Sequence, residues 1–196
     1  MMRSWAAAAA IGFVALLPGA SPTRADVRRF TPVAAKSEVT FTASFPLGDF
    51  TGRTQDIAGE FRADPADLRS GVTGMLRIKA YRIRTGDEGR DREMYRFLAV
   101  DHHPEIQFTI ERIEASFPST TDRSDVLLTI TGVMSIRGVE RAMAFPGRAR
   151  LREDKLWVRG EGQLRMSHFG MKAPSRFFFD VKDTLLVSFD VTLAQD

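Results

Sequence analysis

The sequence contains no cysteine. That absence excludes disulfide staples, thiol catalysis, redox pairs and thiolate metal sites together. Histidine is scarce as well, with His102, His103 and His168 the only three. His102 and His103 are adjacent, and neighbours on an extended segment face opposite sides, so one metal would rarely take both. Asp101 and Glu105 stand close by, yet no third fixed ligand presents itself, and no metal site is expected. A GxSxG nucleophile elbow is missing, and so are the glycine-rich phosphate loops; "GVTGMLRI" lacks the lysine that a P-loop requires. The acids Asp87, Glu88, Asp91 and Glu93 are interleaved with arginines, the pattern of a solvated face rather than of a catalytic carboxylate pair.

Neither sign of charge dominates. Lys and Arg number 28 against 25 Asp and Glu, and the two are mixed along the chain. No basic stripe of the kind that nucleic acid needs is present, and no nucleic-acid partner is expected. The sequence pI of 9.6 reflects how few groups titrate near neutrality. Long apolar runs are also lacking after the first residues. "AAAAAIGFVALL" follows the single charge of Arg3 and is too short for a stable bilayer span. "PGASPTRA" then supplies a helix breaker and small residues, so residues 1–25 are expected to be a signal peptide, with cleavage after Ala25 or, alternatively, Ala20. Losing Arg3 and Arg24 would lower the formal charge from +3 to +1. The mature chain, residues 26–196, is expected to be one domain, periplasmic or secreted, and large enough to hold a core without disulfides.

What the chain does have is alternation. "EVTFTASF" puts Val39, Phe41, Ala43 and Phe45 on one face and Thr40, Thr42 and Ser44 on the other, a half-buried strand. The same period recurs in "QDIAGEFRAD", "GVTGMLRIKAYRIRT", "EIQFTIERI", "DVLLTITGVMSI", "VERAMAFPGRARL", "KLWVRGEGQLRM" and "TLLVSFDVTL". Turn-type stretches such as "LGDFTG", "DPADLRSG", "PSTTDRSD", "IRG" and "RED" separate them. Eight antiparallel strands with one apolar face make either a two-sheet sandwich or a closed barrel. Phe supplies 15 of the aromatic residues against two Tyr and two Trp, which suits a dry interior. An eight-stranded barrel is just wide enough either to be filled by its own side chains or to hold one small ligand, and periodicity does not choose between these. Small inward residues (Ala43, Gly59, Ala80, Gly132, Gly160 and Gly162) fit open space and fit bends equally well.

One segment breaks the rhythm. In "DEGRDREMYRFLAV", Met94, Phe97 and Leu98 fall at i, i+3 and i+4, which predicts a short helix between the third and fourth strands. Asp87 or Asp91 is placed to cap it, and Pro104 stops it from running into the next strand. Arg90 and Asp91 stand at its start. They are either a latch that holds the helix over the barrel mouth or an exposed ion pair contributing under ~1 kcal/mol.

Several segments, taken in order, resemble the YceI-like family of polyisoprenoid-binding proteins. "SEVTFTASF" and "IAGEF" look like its opening strands. "RIRTGDEGRDREMYRFLAVDHHPEIQF" is similar to its central segment, with Thr85, Arg90, Asp91, Met94, Leu98, Pro104, Ile106 and Phe108 matching. "ITGVMSIRGVERAMAFP" resembles a later strand pair, through Gly132, Ile136, Gly138, Val139 and Arg141. "SHFGM" and "VKDTLLVSFDV" look like the family's ending, although His168 stands where Asp is usual. The resemblance covers Phe30 to the C-terminus.

The resemblance implies an all-β fold: an eight-stranded antiparallel, lipocalin-like barrel that is hollow. It also implies a long polyisoprenoid, such as a polyprenyl quinone or its precursor, in the apolar tunnel, with no cofactor and no catalytic group. On this reading the wall comprises Phe41, Phe45, Phe61 and Ile78 from the first strands and Met94, Phe97 and Leu98 from the helix. Phe108, Ile110, Leu128, Ile130, Met143 and Phe145 would continue it, and Val158, Leu164, Val187 and Phe189 would close it. Arg90 and Asp91 would latch the helix, and His103 or His168 would meet a polar head group. Transient membrane contact and a homodimer are compatible with such a carrier. The rival expectation is an enzyme, an isomerase or hydrolase, acting on an apolar substrate in the same barrel.

Overall fold

The structure is a computed structural model that describes residues 26–46, 48–69, 71–116, 125–172, 175–176 and 179–196. The expected signal peptide, residues 1–25, lies outside the described residues, as does nearly all of the "PSTTDRSD" turn. The strands are β1 (Arg28–Pro32), β2 (Glu38–Phe45), β3 (Gly48–Thr54), β4 (Ile57–Ala63), β5 (Thr73–Lys79) and β6 (Glu105–Ala115). They continue with β7 (Val126–Ile136), β8 (Val139–Arg152), β9 (Lys155–Arg165), a short hairpin of β10 (Ser175–Arg176) and β11 (Phe179–Asp180), and β12 (Thr184–Gln195). One α-helix, α1 (Glu88–Leu98), follows β5 and precedes β6.

Antiparallel pairing runs β1-β4-β5-β6-β7-β8-β9-β12, and β12 returns to β1, so the sheet closes into an eight-stranded barrel. Closure removes the edges that an open sheet would expose. β2 continues the stave begun by β1, and β3 the stave completed by β4: β2 pairs with β12 on one side and with β3 on the other. Each of the eight alternating runs in the sequence forms a strand (β2, β4 to β9 and β12). "LGDFTG", expected to be a turn, is instead mostly strand, because β3 pairs with β2 along its whole length, from Gly48 opposite Phe45 to Thr54 opposite Val39. β1, too short and charged to show a period, forms because β4 and β12 flank it.

Alternation is visible in burial. Along β7, Val126, Leu128, Ile130, Gly132, Met134 and Ile136 are buried and the residues between them are more exposed. β6 keeps its apolar residues inward by a bulge. Ile110 lies opposite Gly132 and Arg112 opposite Thr131, so Glu111 is an extra residue and Ile113 regains the inner face. The β7–β8 turn has Arg137 at φ 54° and Gly138 at φ 73°, the doubly left-handed form that suits the twist of two paired strands.

The two ends differ. At one end the loop after β4 plugs the barrel through Leu68, which is 2% exposed and shares a core cluster with the fully buried Phe30. The buried Asp64 carboxylate holds that loop by accepting the Ala66 N–H at 2.8 Å and the Asp26 N–H at 3.1 Å. At the other end lies α1.

Candidate functional site

The barrel interior is divided by three phenylalanines. Phe145 makes edge-to-face contacts with Phe108 (centroids 5.4 Å apart, planes at 87°) and with Phe189 (5.9 Å, 83°), a favourable geometry for aromatic rings. Phe108 and Phe189 pack against the apolar clusters on both sides of this waist. On the plugged side only about 120 Å³ is open. On the helix side a cavity of about 1100 Å³ opens, just beyond the 300–1,000 Å³ usual for small-molecule sites.

A glycine shapes the wall of that cavity. Phe41 on β2 lies directly across from Gly52 on β3, and its ring covers the space where a Gly52 side chain would stand. The ring is therefore laid along the wall instead of across the lumen. At the waist the same device fixes the rings: a Cβ on Gly160 would come within 2.5 Å of Phe189, and one on Gly162 within 2.7 Å of Phe145. Of the small inward residues, Gly160 and Gly162 thus seat rings, a role that neither sequence reading described, while Gly59 and Gly132 let neighbouring backbone carbonyls approach closely.

The expected wall residues fall on both sides of the waist. Phe41, Phe45, Met94, Phe97, Leu98 and Leu164 line the large cavity, and Ile78 and Val187 line both cavities. Phe61, Phe108, Ile110, Leu128, Ile130, Phe145, Val158 and Phe189 line the small one. Met143 lines neither; it packs half-buried against the helix-side cluster. The large cavity also has wall residues outside that set. Met134, Ile136, Met166 and Leu185 continue the strand periodicities, and extending those periods would have found them. Phe50, Met171 and Val181 lie in segments that carry no clear period, and Ile83 falls off the period of its run, so folding alone brings them in.

α1 roofs this cavity with the face that its i, i+3, i+4 spacing marks, and the same face extends one turn back to Arg90. Asp87 caps the helix by accepting the Arg90 N–H at 2.7 Å, and this bond, ahead of the nearby Arg90 charge, holds the Asp87 carboxyl below the usual carboxylate range. Ala99, at φ 52°, ends it in the left-handed conformation. The Tyr95 hydroxyl donates to the Ile83 carbonyl at 2.7 Å, tying the helix's other side to the chain before it.

Arg90 and Asp91 do not pair with each other; they converge on Thr85. Asp91 is 7% exposed and accepts from the Thr85 N–H at 2.8 Å and the Thr85 hydroxyl at 2.6 Å. The Arg90 guanidinium donates to the Thr85 carbonyl at 3.0 Å and lies 4.8 Å from the Phe50 ring centroid. Hydrogen bonds to a charged group contribute about 1.5–3 kcal/mol each, so this clasp fixes the first turn of α1 firmly.

Charged residues enter the cavity wall only at α1 and its cap, through Asp87, Arg90, Glu93 and Arg96, while Thr40 and Thr54 are the polar residues of the strand wall. Asp87, Glu93 and Arg96 are exposed, so the cavity reaches the surface there. Glu93 and Arg96 pair at 2.7 Å. Neither His103 nor His168 lines the cavity. His103 sits over Gly138 in the β7–β8 turn, and His168 is exposed on the short 3₁₀ turn after β9. That turn is held by Asp183, which accepts the Ser167 hydroxyl at 2.6 Å and the Ser167 N–H at 2.8 Å; the hydroxyl bond chiefly holds Asp183 below the usual carboxylate range. Among the described residues no group of three or more His, Asp or Glu is placed to hold a metal ion.

Comparison with known proteins places this architecture. The barrel is similar to the crystal structure of Burkholderia cenocepacia BcnA, with a TM-score of 0.70 and 15% identity over 82% of this chain and 98% of that one. It is also similar to a polyisoprenoid binding domain from Saccharophagus degradans implicated in plant cell wall breakdown, with a TM-score of 0.65 and 14% identity over 85% of this chain and 98% of that one. A Campylobacter jejuni YceI protein matches with a TM-score of 0.58 and 18% identity over 74% and 84% of the two chains. No curated protein matches in sequence. The YceI-like domain model matches residues 30–193, nearly the whole barrel, and the chain belongs to that family.

Proposed function

We propose that this chain is an exported binding protein that carries a long-chain polyisoprenoid, such as a polyprenyl quinone or its precursor, with the chain seated in the helix-side cavity. The observation that carries the reading is the cavity itself: about 1100 Å³, apolar but for Thr40, Thr54 and the charged residues at α1, and open to the surface beside that helix. A wall of that composition is poorly solvated by water and suits an apolar occupant. Each buried methylene of such a chain contributes roughly 0.8 kcal/mol, so a few isoprene units outweigh an association cost of ~4–15 kcal/mol without any catalytic step.

Family membership and the likeness to a polyisoprenoid binding domain support a binding role over an enzymatic one. Export rests on the N-terminal segment, and N-terminal sequencing of the secreted or periplasmic protein should begin at Asp26, or at Ser21 for the alternative cleavage. Native mass spectrometry of protein purified from its own host tests the carrier role. An apolar adduct of isoprenoid mass is expected; protein that arrives bare, and stays bare after incubation with a polyprenyl quinone, would sink it.

A further inference from the structure

Arg90 Nε is the one buried side-chain nitrogen or oxygen among the described residues without a hydrogen-bond partner. Its residue lines the large cavity. The rest of the guanidinium is held in place, by the Thr85 carbonyl at 3.0 Å and by the Phe50 ring at 4.8 Å from its centroid. The neighbouring carboxylates are engaged elsewhere: Asp91 with Thr85, Asp87 with the Arg90 backbone N–H, and Glu93 with Arg96. A buried donor without a partner is disfavoured, and a cationic donor forms stronger hydrogen bonds than a neutral one. We infer that Arg90 receives the head group of the bound chain. The ligand carries a hydrogen-bond-accepting oxygen at one end, and that end sits under the first turn of α1, with the tail running toward the waist of Phe108, Phe145 and Phe189.

This inference rests on the carrier reading and adds to it both the chemistry of the ligand's head and its orientation. It also separates the head-group role from the two histidines, which stand outside the cavity wall. The oxygen is either a phosphate of a prenyl phosphate or a carbonyl of a prenyl quinone, and both would accept from the Arg90 guanidinium, which lines the cavity with no carboxylate partner among the described residues.

Binding of delipidated protein to three probes of matched chain length tests it: squalene, which has no polar head, a polyprenyl quinone and a polyprenyl phosphate. The wild-type protein should bind at least one headed chain roughly tenfold more tightly than squalene, and Arg90→Met should bring that affinity down to the squalene level. A preference confined to the phosphate assigns an anionic head, and one shared by the quinone assigns a neutral acceptor. Equal wild-type affinities for all three probes would overturn the inference, and so would a preference that persists in a folded Arg90→Met protein. The wild-type comparison stands even if that variant fails to fold. Binding of none of the three would instead count against the carrier reading itself.

Discussion

The two halves of this barrel are built from the same kinds of residue and end in different states. On the plugged side Phe30, Leu68 and Val126 are 2% exposed or less, and only about 120 Å³ remains open. On the helix side Phe41, Phe97 and Phe50 leave about 1100 Å³. The plugged half is closed by a loop that inserts Leu68, whereas the other half is roofed by a helix held at its first turn by Thr85, and its Phe41 ring is drawn to the wall by Gly52. Phenylalanine content therefore does not decide whether a barrel is solid. Nor do facing glycines alone, since Phe61 of the plugged half lies against Gly74 as Phe41 lies against Gly52; what differs is whether the end is plugged or roofed.

The largest test of this contrast is a pair of truncations. Phe30→Ala should cost about 3–5 kcal/mol in urea unfolding, as for a fully packed aromatic. Phe97→Ala, on the cavity roof, should cost less than half as much and show instead as weaker retention of a bound isoprenoid. Equal stability losses would mean that the helix side is as tightly packed as the plug. Next comes Asp91→Ala, which strands both Thr85 donors and should cost about 2–3 kcal/mol. Hydrogen exchange should localise that loss to α1, leaving the plugged half protected; a uniform loss would show that the roof and the barrel do not move separately.

A smaller effect separates two glycines. Gly160→Ala forces a methyl within 2.5 Å of Phe189, in a waist with nowhere to go, and should cost about 1–3 kcal/mol. Gly52→Ala meets the end of the Phe41 ring, which has the open cavity to swing into. Its cost should stay below about 1 kcal/mol while ligand capacity falls. Melting temperatures and isoprenoid titrations of the two variants would reverse the argument if Gly52→Ala proved the more destabilising.

The smallest effect is in acid. Asp183 has its folded pKa depressed by the Ser167 hydroxyl and N–H. Its contribution is therefore present above the ordinary value of 3.8 and is lost as pH falls through the lower folded value. Asp183→Asn should flatten the acid limb of the melting temperature below about pH 4, and a profile parallel to wild type would remove this tie from the rim.

Much of the fold was legible. Each alternating run became a strand, because a period of two is what a half-buried strand requires, and the i, i+3, i+4 spacing of Met94, Phe97 and Leu98 marked α1 and its inward face. β1 and β3 were not legible, since "RRFTP" and "GDFTGRT" become strands only through the partners that folding brings beside them. For the cavity wall, the strand residues could be read by extending their periods, while Phe50, Met171 and Val181 could not. The Arg-Asp pair was read as either a latch holding the helix over the barrel mouth or an exposed ion pair, and its meeting point at Thr85 depends on the path of the chain into α1.

The sequence by itself determined which residues face inward, because side-chain alternation is a local property of an extended backbone, and it determined that no thiol chemistry occurs. Tertiary structure alone decided how much space those residues leave. Volume depends on which residue stands across the strand pair, Gly52 under Phe41 or Gly160 under Phe189, and that pairing is set by register and barrel closure. It also decided that one arginine nitrogen would be buried beside the cavity without a partner, since only the packed helix, Thr85 and Phe50 together remove it from water.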